Sequence, residues 1–361
     1  MSLRRIEAID ISRGMAMLLV LLSHSCFALT AVRGQFPELY FPLRILSRPS
    51  TPAFLIISGM VVSYIYHSSD PEEFKRLRGK ITKRAVVLLT IVHLLMSANL
   101  WAKTGDWSYL IRSLQITDII GLGLITYIWV QDIVEVRYYQ AIIMFLVSGI
   151  LVRIWMPDDI IGSVVKQVFF GPSRNMETYV AGNTYTVVPL LAIYHCGVVL
   201  GKDFVRAVRS DKIEEFSKRL FYGGWGVIAA GAFVYIAGQK LLAVFQIRGW
   251  TSFFSGIRKY PPSIPYPLLY GGASCLMIAV LLWYGERYGN FGIFGRIFRV
   301  FGLASLVSFV VQHWIHFYLV SAVGLPMPLL GIRWFLFFFV TSFIVWCFAF
   351  LWFKFVLKRE F

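Results

Sequence analysis

Arg13-Gly-Met-Ala-Met-Leu-Leu-Val-Leu-Leu-Ser-His24 is an apolar run closed at each end by an ionisable side chain. Eleven residues at about 100° each turn through about 1100°, some 20° past three full turns, so the two side chains share one helix face. Their separation along the axis is about 16 Å. With Arg13 at a cytoplasmic interface, the imidazole of His24 would lie near the middle of a hydrocarbon layer about 30 Å thick. Ionisable groups at such depth are costly and mark functional sites.

The chain around this run is a membrane chain. Of its 361 residues 58% are apolar, 17% aromatic and only 15% charged, the composition of a polytopic all-α helix bundle whose solvent is lipid. The net charge of +16 does not indicate nucleic acid. The basic residues sit in short connectors between apolar stretches of spanning length, which is the positive-inside pattern. Cys26, Cys196, Cys275 and Cys347 are scattered singly in apolar runs, so packing is expected of them, with no disulfide and no metal. The first apolar run lacks a small-residue cleavage site and is expected to remain as the first span.

Against a spanning length of about 20 residues, ten candidate spans begin near residues 12, 50, 84, 116, 138, 185, 220, 265, 301 and 333. An even number returns the C-terminus to the side of the N-terminus. With both termini cytoplasmic, 22 of the 35 Lys and Arg residues fall inside, including the two most basic loops, Glu72 to Arg84 and Lys202 to Arg219. The longest external stretches, Pro157 to Thr184 and Gln239 to Pro265, are too short for a core of their own, so residues 1–361 read as a single integral-membrane domain. No internal or inverted repeat is visible, which disfavours a transporter.

At this point the residues resemble a superfamily. Arg5-Ile-Glu-Ala-Ile-Asp10-Ile-Ser-Arg13-Gly14 leading to His24 is similar to the opening of the transmembrane acyltransferases, which include the acyltransferase-3 proteins and the heparan-α-glucosaminide N-acetyltransferase-like proteins. The resemblance continues through Pro52-Ala-Phe-Leu-Ile-Ile-Ser58-Gly59, Ser113-Leu-Gln115-Ile-Thr-Asp118-Ile-Ile-Gly121 and Val188-Pro189 to Gly197 and Gly201-Lys202. Lys259-Tyr-Pro261-Pro262-Ser263 and Phe301-Gly302-Leu-Ala-Ser305-Leu to His313 lean toward the heparan-type branch.

The resemblance implies transfer of an acyl group, usually acetyl, from cytoplasmic acyl-CoA to a hydroxyl, or less readily an amine, of an extracytoplasmic glycan or glycolipid. It implies a multi-pass protein of the inner or plasma membrane that modifies envelope polysaccharide without a metal. Donor phosphates call for arginine or lysine near the inner face. Arg13 fits that role, with Asp10 one turn earlier able to orient the guanidinium as an i, i+3 pair. A neutral His24 can take the acceptor's proton or itself carry the acyl group. Where the acyltransferase-3 branch has a second arginine pair, the chain reads Lys80-Ile-Thr-Lys83-Arg84; Lys83 and Arg84, nearest the span, are the candidates for the donor.

Asp118 is the candidate to orient a base or bind a sugar hydroxyl. His313 and His316, one turn apart, read as interhelical hydrogen-bonding residues ahead of a metal or acceptor pocket, because no third ligand accompanies them. The acceptor would enter through the long external loops, where Tyr179, Asn183, Tyr185, Trp250 and Tyr266 are candidate sugar-facing residues. The competing readings are a transporter or flippase of a lipid-linked glycan and a non-catalytic partner in envelope-polysaccharide assembly.

Overall fold

The computed structural model describes residues 6–26, 37–131, 135–172, 185–245, 251–254, 256–259, 261–324, 329 and 331–358. Among the described residues the regular structure is helical, without a strand. The main helices are α1 (Glu7–Ser25), α2 (Ser50–Ser68), α3 (Pro71–Val87), α4 (His93–Thr104), α5 (Ile116–Val130), α6 (Tyr138–Ile154), α7 (Val187–Arg209), α8 (Ile213–Phe245), α9 (Pro265–Tyr288), α10 (Gly292–Leu303), α11 (Ser305–Trp314) and α12 (Ile332–Leu351). Start signals lie where the sequence puts them. Asp70 caps α3 by accepting from the amide of Glu73 at 2.7 Å, and Pro71 opens the first turn.

Each of the ten expected runs is helical, but not all reach spanning length. Among the described residues seven helices are long and apolar enough to cross a membrane, and α10 with the α11 segment makes an eighth if the bent pair is one span. Helices α5 and α6 have 15 and 17 residues, short of the roughly 20 that cross a hydrocarbon layer upright. The pair α10 and α11 meets at 78°, broken at Ala304. Two π turns, Leu88–Val92 and Ile315–Leu319, interrupt the other long apolar segments that line the site.

The first helix starts earlier than its apolar run. Glu7 to Ser12 join it because Asp10 and Ser12 pack inward, at 8% and 0% exposure, and the Ser12 hydroxyl donates to the Ala8 carbonyl at 2.7 Å. His24 therefore lies in the last turn of α1. Arg13 stands two turns inside the other end.

Backbone contact between glycines fixes the helices that carry the site. A Cβ added at Gly14 of α1 would overlap the Phe298 carbonyl of α10, and one added at Gly302 of α10 would overlap the Asp10 carbonyl of α1. In the same way Gly197 and Gly201 of α7 lie on the Ile56 and Met60 carbonyls of α2, and Gly59 of α2 lies on Tyr194 of α7. Small residues let helices in lipid approach closely enough for dispersion to hold them. The motif glycines beside Arg13 and after Phe301, and the pair 197 and 201, are thus helix contacts. The four cysteines are free thiols.

Candidate active site

Arg13 and Arg84, seventy-one residues apart in sequence, line one cavity of about 110 Å³. Helix α2 adds Ser58, α5 adds Thr117 and α11 adds Ser305. The remaining wall is apolar, with Phe54, Ile120, Leu124 and Phe309 among its residues. Two guanidiniums and three hydroxyls in an otherwise apolar cavity suit a phosphate-sized anion, since each guanidinium can offer two parallel donors. The volume takes one such group and is well below that of a whole-ligand pocket.

The cavity does not include His24. That residue belongs to a histidine cluster toward the C-terminal end of α1, with Gln312 and His313 from α11 and His316 from the following π turn. The His24 ring centroid is 6.0 Å from His313, 6.0 Å from His316 and 5.0 Å from Phe317. Its Nδ1 lies 2.6 Å from Gln312 Oε1. The Gln312 amide nitrogen donates to the Phe309 carbonyl at 3.1 Å, and the reverse orientation would set oxygen against oxygen. Oε1 must therefore accept, so Nδ1 of His24 carries the hydrogen and Nε2 keeps the lone pair.

A second chain of hydrogen bonds runs beside the first. His316 Nδ1 donates to the Gln312 carbonyl at 2.8 Å, which leaves its Nε2 to accept from the Ser25 hydroxyl at 2.9 Å. Trp334 Nε1 donates to the Ser25 carbonyl at 2.8 Å, fastening α12 to the end of α1. Among the described residues His313 Nδ1 is buried without a hydrogen-bond partner, and its ring stacks on Phe309 at 6.4 Å and 21°. Phe309 also lines the arginine cavity. Helices α1 and α11 therefore share a pattern: each contributes to the cavity, Arg13 on one and Ser305 and Phe309 on the other, and each ends in the histidine cluster.

The remaining candidates separate. Asp10 is buried on the face of α1 that packs on α10. Lys83 is exposed and does not line the cavity, so of the basic pair only Arg84 joins Arg13. Asp118 is joined to neither group. Its Oδ2 accepts from the Gln115 amide at 2.7 Å and lies 2.9 Å from His93 Nδ1, while His93 Nε2 faces the Leu110 carbonyl at 2.9 Å. With an acceptor on each side, His93 offers no lone pair, and Asp118 closes the capping box at the start of α5, where Gln115 is the N-cap, and anchors α4. Tyr266 is fully buried, so it does not face a loop. Tyr185 receives a hydrogen bond from Lys259 Nζ at 3.3 Å. Tyr179, Asn183 and Trp250 lie outside the described residues.

Gln312 was not among the residues that the sequence singled out. Its signal was the spacing Gln312-His313-Trp-Ile-His316, which sets a side-chain acceptor one turn before the second histidine. Among the described residues no group of three or more His, Cys, Asp or Glu is placed to hold a metal ion. The model of one protein family, heparan-alpha-glucosaminide N-acetyltransferase, catalytic, matches residues 5–224. The match takes in Arg13, His24, Arg84 and Asp118 and ends before α11. No curated protein matches the chain.

Proposed function

The chain belongs to the heparan-α-glucosaminide N-acetyltransferase catalytic family, a family of acyltransferase-type enzymes, and on that premise we propose a specific reaction for it. An acetyl group passes from cytoplasmic acetyl-CoA to a hydroxyl, or secondarily an amine, of an extracytoplasmic glycan or glycolipid. Both termini face the cytoplasm, and residues 1–361 act as one membrane domain. The observation that carries this reading is the pairing of α1 and α11, which links a cavity holding two arginines to a histidine with a free Nε2.

Arg13 and Arg84 hold a phosphate of the donor by bidentate hydrogen bonds, with Asp10 keeping the start of α1 in place. The cavity takes one phosphate-sized group, so the rest of coenzyme A lies outside it. Some 16 Å along α1, His24 Nε2 accepts the proton of the acceptor hydroxyl as that oxygen attacks the thioester carbonyl. The C–S bond then breaks, and the protonated imidazole returns the proton to the departing thiolate. Gln312 keeps the hydrogen on Nδ1 throughout, which is what makes Nε2 the basic nitrogen. A lone pair on Nε2 serves a general base and a nucleophile alike, and direct transfer is taken as the route with fewer covalent steps. Asp118 takes no part in proton transfer in this scheme and acts by holding α4 and α5.

The test uses the detergent-purified full chain with acetyl-CoA and a panel of hydroxyl-bearing and amino-bearing sugars, following thiol release and acetylated product. Wild type should turn over at least one acceptor, and His24→Ala should bind acetyl-CoA without transfer. A wild-type protein that neither binds nor consumes any acyl-CoA removes the basis of the proposal. An acetyl group found on His24 after incubation with donor alone would replace direct transfer with a two-step route.

A further inference from the structure

A second and larger cavity, of about 840 Å³, lies away from both arginines and histidines of the site, between α6, α7, α8 and α9. Its origin is an uneven packing of α8. That helix is drawn onto α9 by paired glycines: a Cβ at Gly272 would meet the Gly224 carbonyl at 2.8 Å, and one at Gly224 would meet the Gly272 carbonyl at 3.1 Å. On its other side α8 leaves a slot facing α7. Lining residues on α7 run from Ala192 to Ser210, a rise of about 27 Å. The slot is therefore long as well as wide.

Its chemistry differs along that length. Most of the wall is apolar, with Phe145, Ile193, Leu220 and Leu268 among its residues. One end is charged, where Asp203, Arg206 and Ser210 from α7 meet Arg219 from α8. Arg206 is paired with Asp203 at 3.1 Å. Arg219 makes no hydrogen bond or ion pair among the described residues, so one positive charge at the mouth is uncompensated. The wall also keeps space open: a Cβ at buried Gly271 would meet only Ile56 Cδ1 at 4.0 Å, and one at Gly223 would meet nothing within 4 Å.

We propose that this slot is a binding site for one anionic phospholipid, with an acyl chain along the apolar wall and the phosphate at Arg219. An apolar cavity of this size between membrane helices is stabilised by hydrocarbon. A phosphate offers Arg219 the bidentate partner that it lacks. The site is independent of the acyl-transfer reading and stands or falls without it.

Native mass spectrometry of the delipidated full chain, titrated with phosphatidylglycerol or phosphatidylcholine of the same acyl chains, tests this. Wild type should retain one phosphatidylglycerol and hold it about tenfold more tightly than phosphatidylcholine, because both carry the phosphate but the choline ammonium cancels the net negative charge that Arg219 attracts. Gly271→Leu fills the slot without striking backbone, and it should lose the bound lipid. Arg219→Gln leaves the slot open and should bind both lipids alike. Equal binding of the two lipids by wild type overturns the proposal, as does lipid retention by a Gly271→Leu protein with an unchanged lipid-free melting curve. If Gly271→Leu does not fold, an unaltered lipid preference in Arg219→Gln is itself decisive against it.

Discussion

Gln312 touches His24 with its side chain and His316 with its carbonyl, so one residue governs two imidazoles. Replacing it separates orientation from chemistry. His24→Ala should lower kcat by about 100-fold or more, the usual contribution of a general base. Gln312→Leu should lower it by about tenfold, because a free ring populates both tautomers, and the KM for acetyl-CoA should hold steady. Gln312→Glu still accepts from Nδ1 and should recover much of the loss. A Gln312→Leu enzyme with wild-type kcat would remove the orienting role. The arginines give the opposite pattern. Arg13→Ala and Arg84→Ala should each weaken donor binding by about tenfold or more, the value of a charge-assisted hydrogen bond, with a smaller effect on kcat. Lys83→Ala should leave donor affinity unchanged, since Lys83 does not reach the cavity. Calorimetric titration of each variant with coenzyme A checks all three.

Arg13 and His24 were legible in the sequence because helix geometry alone puts them on one face. Arg84 was legible as a charge at a span end, but its meeting with Arg13 depends on tertiary packing, which no local pattern records. The start of α1 was not legible, for a physical reason. Asp10 and Ser12 look like residues outside a span, yet they are buried against neighbouring helix and belong to α1. Asp118 is a related case, since in sequence a carboxylate near a span end suits a catalytic pair or a helix cap equally well, and only the partners of His93 bear on the choice.

At the scale of elements, the bundle depends on backbones in contact. Ile and Leu side chains gain little by leaving lipid for protein, so the close approaches at glycine decide which helices pair. Gly197→Leu should separate α7 from α2 and remove most folded protein. Gly302→Ala drives a methyl into the Asp10 carbonyl of α1, a backbone group that cannot turn aside, so it should cost more than ordinary overpacking, which is about 1–3 kcal/mol, and lower the melting temperature sharply. Both follow from melting curves by tryptophan fluorescence or from size-exclusion profiles. Asp118→Asn belongs here too: it weakens the contact of α5 with His93 on α4 and should destabilise the protein while leaving turnover per folded molecule unchanged. A large fall in kcat at unchanged stability would return Asp118 to the chemistry. The sequence marked these glycines only as motif positions or GxxxG spacing, because which helix each one meets is a long-range property.

At the scale of the whole molecule, the all-α membrane class was fully legible, since composition and run lengths determine it. The count of spans was less so. Hydropathy finds apolar runs, but it does not register that α5 and α6 stop short or that the segment carrying α10 and α11 bends by 78°. Reporter fusions at residues 1 and 361 should place both termini in the cytoplasm, and opposite locations would reverse the proposed approach of the donor. The same experiment at the short connection between α7 and α8, residues 210–212, which the basic residues from Lys202 to Arg219 flank, should report the cytoplasmic side as well.

The reciprocal glycine contacts of α1 and α10 also have a mechanical meaning. With each backbone seated on the other at Gly14 and Gly302, the two helices have no slack between them and behave as a stator. Arg13 is the neighbour of one contact, and His24 rides on the same helix. A donor too large for the cavity therefore cannot be admitted by sliding these two residues apart. The moving wall is expected to be the opposite one, to which α3 brings Arg84 and α5 brings Thr117, so traffic into the enzyme should leave its ruler, the spacing from guanidinium to imidazole, unchanged.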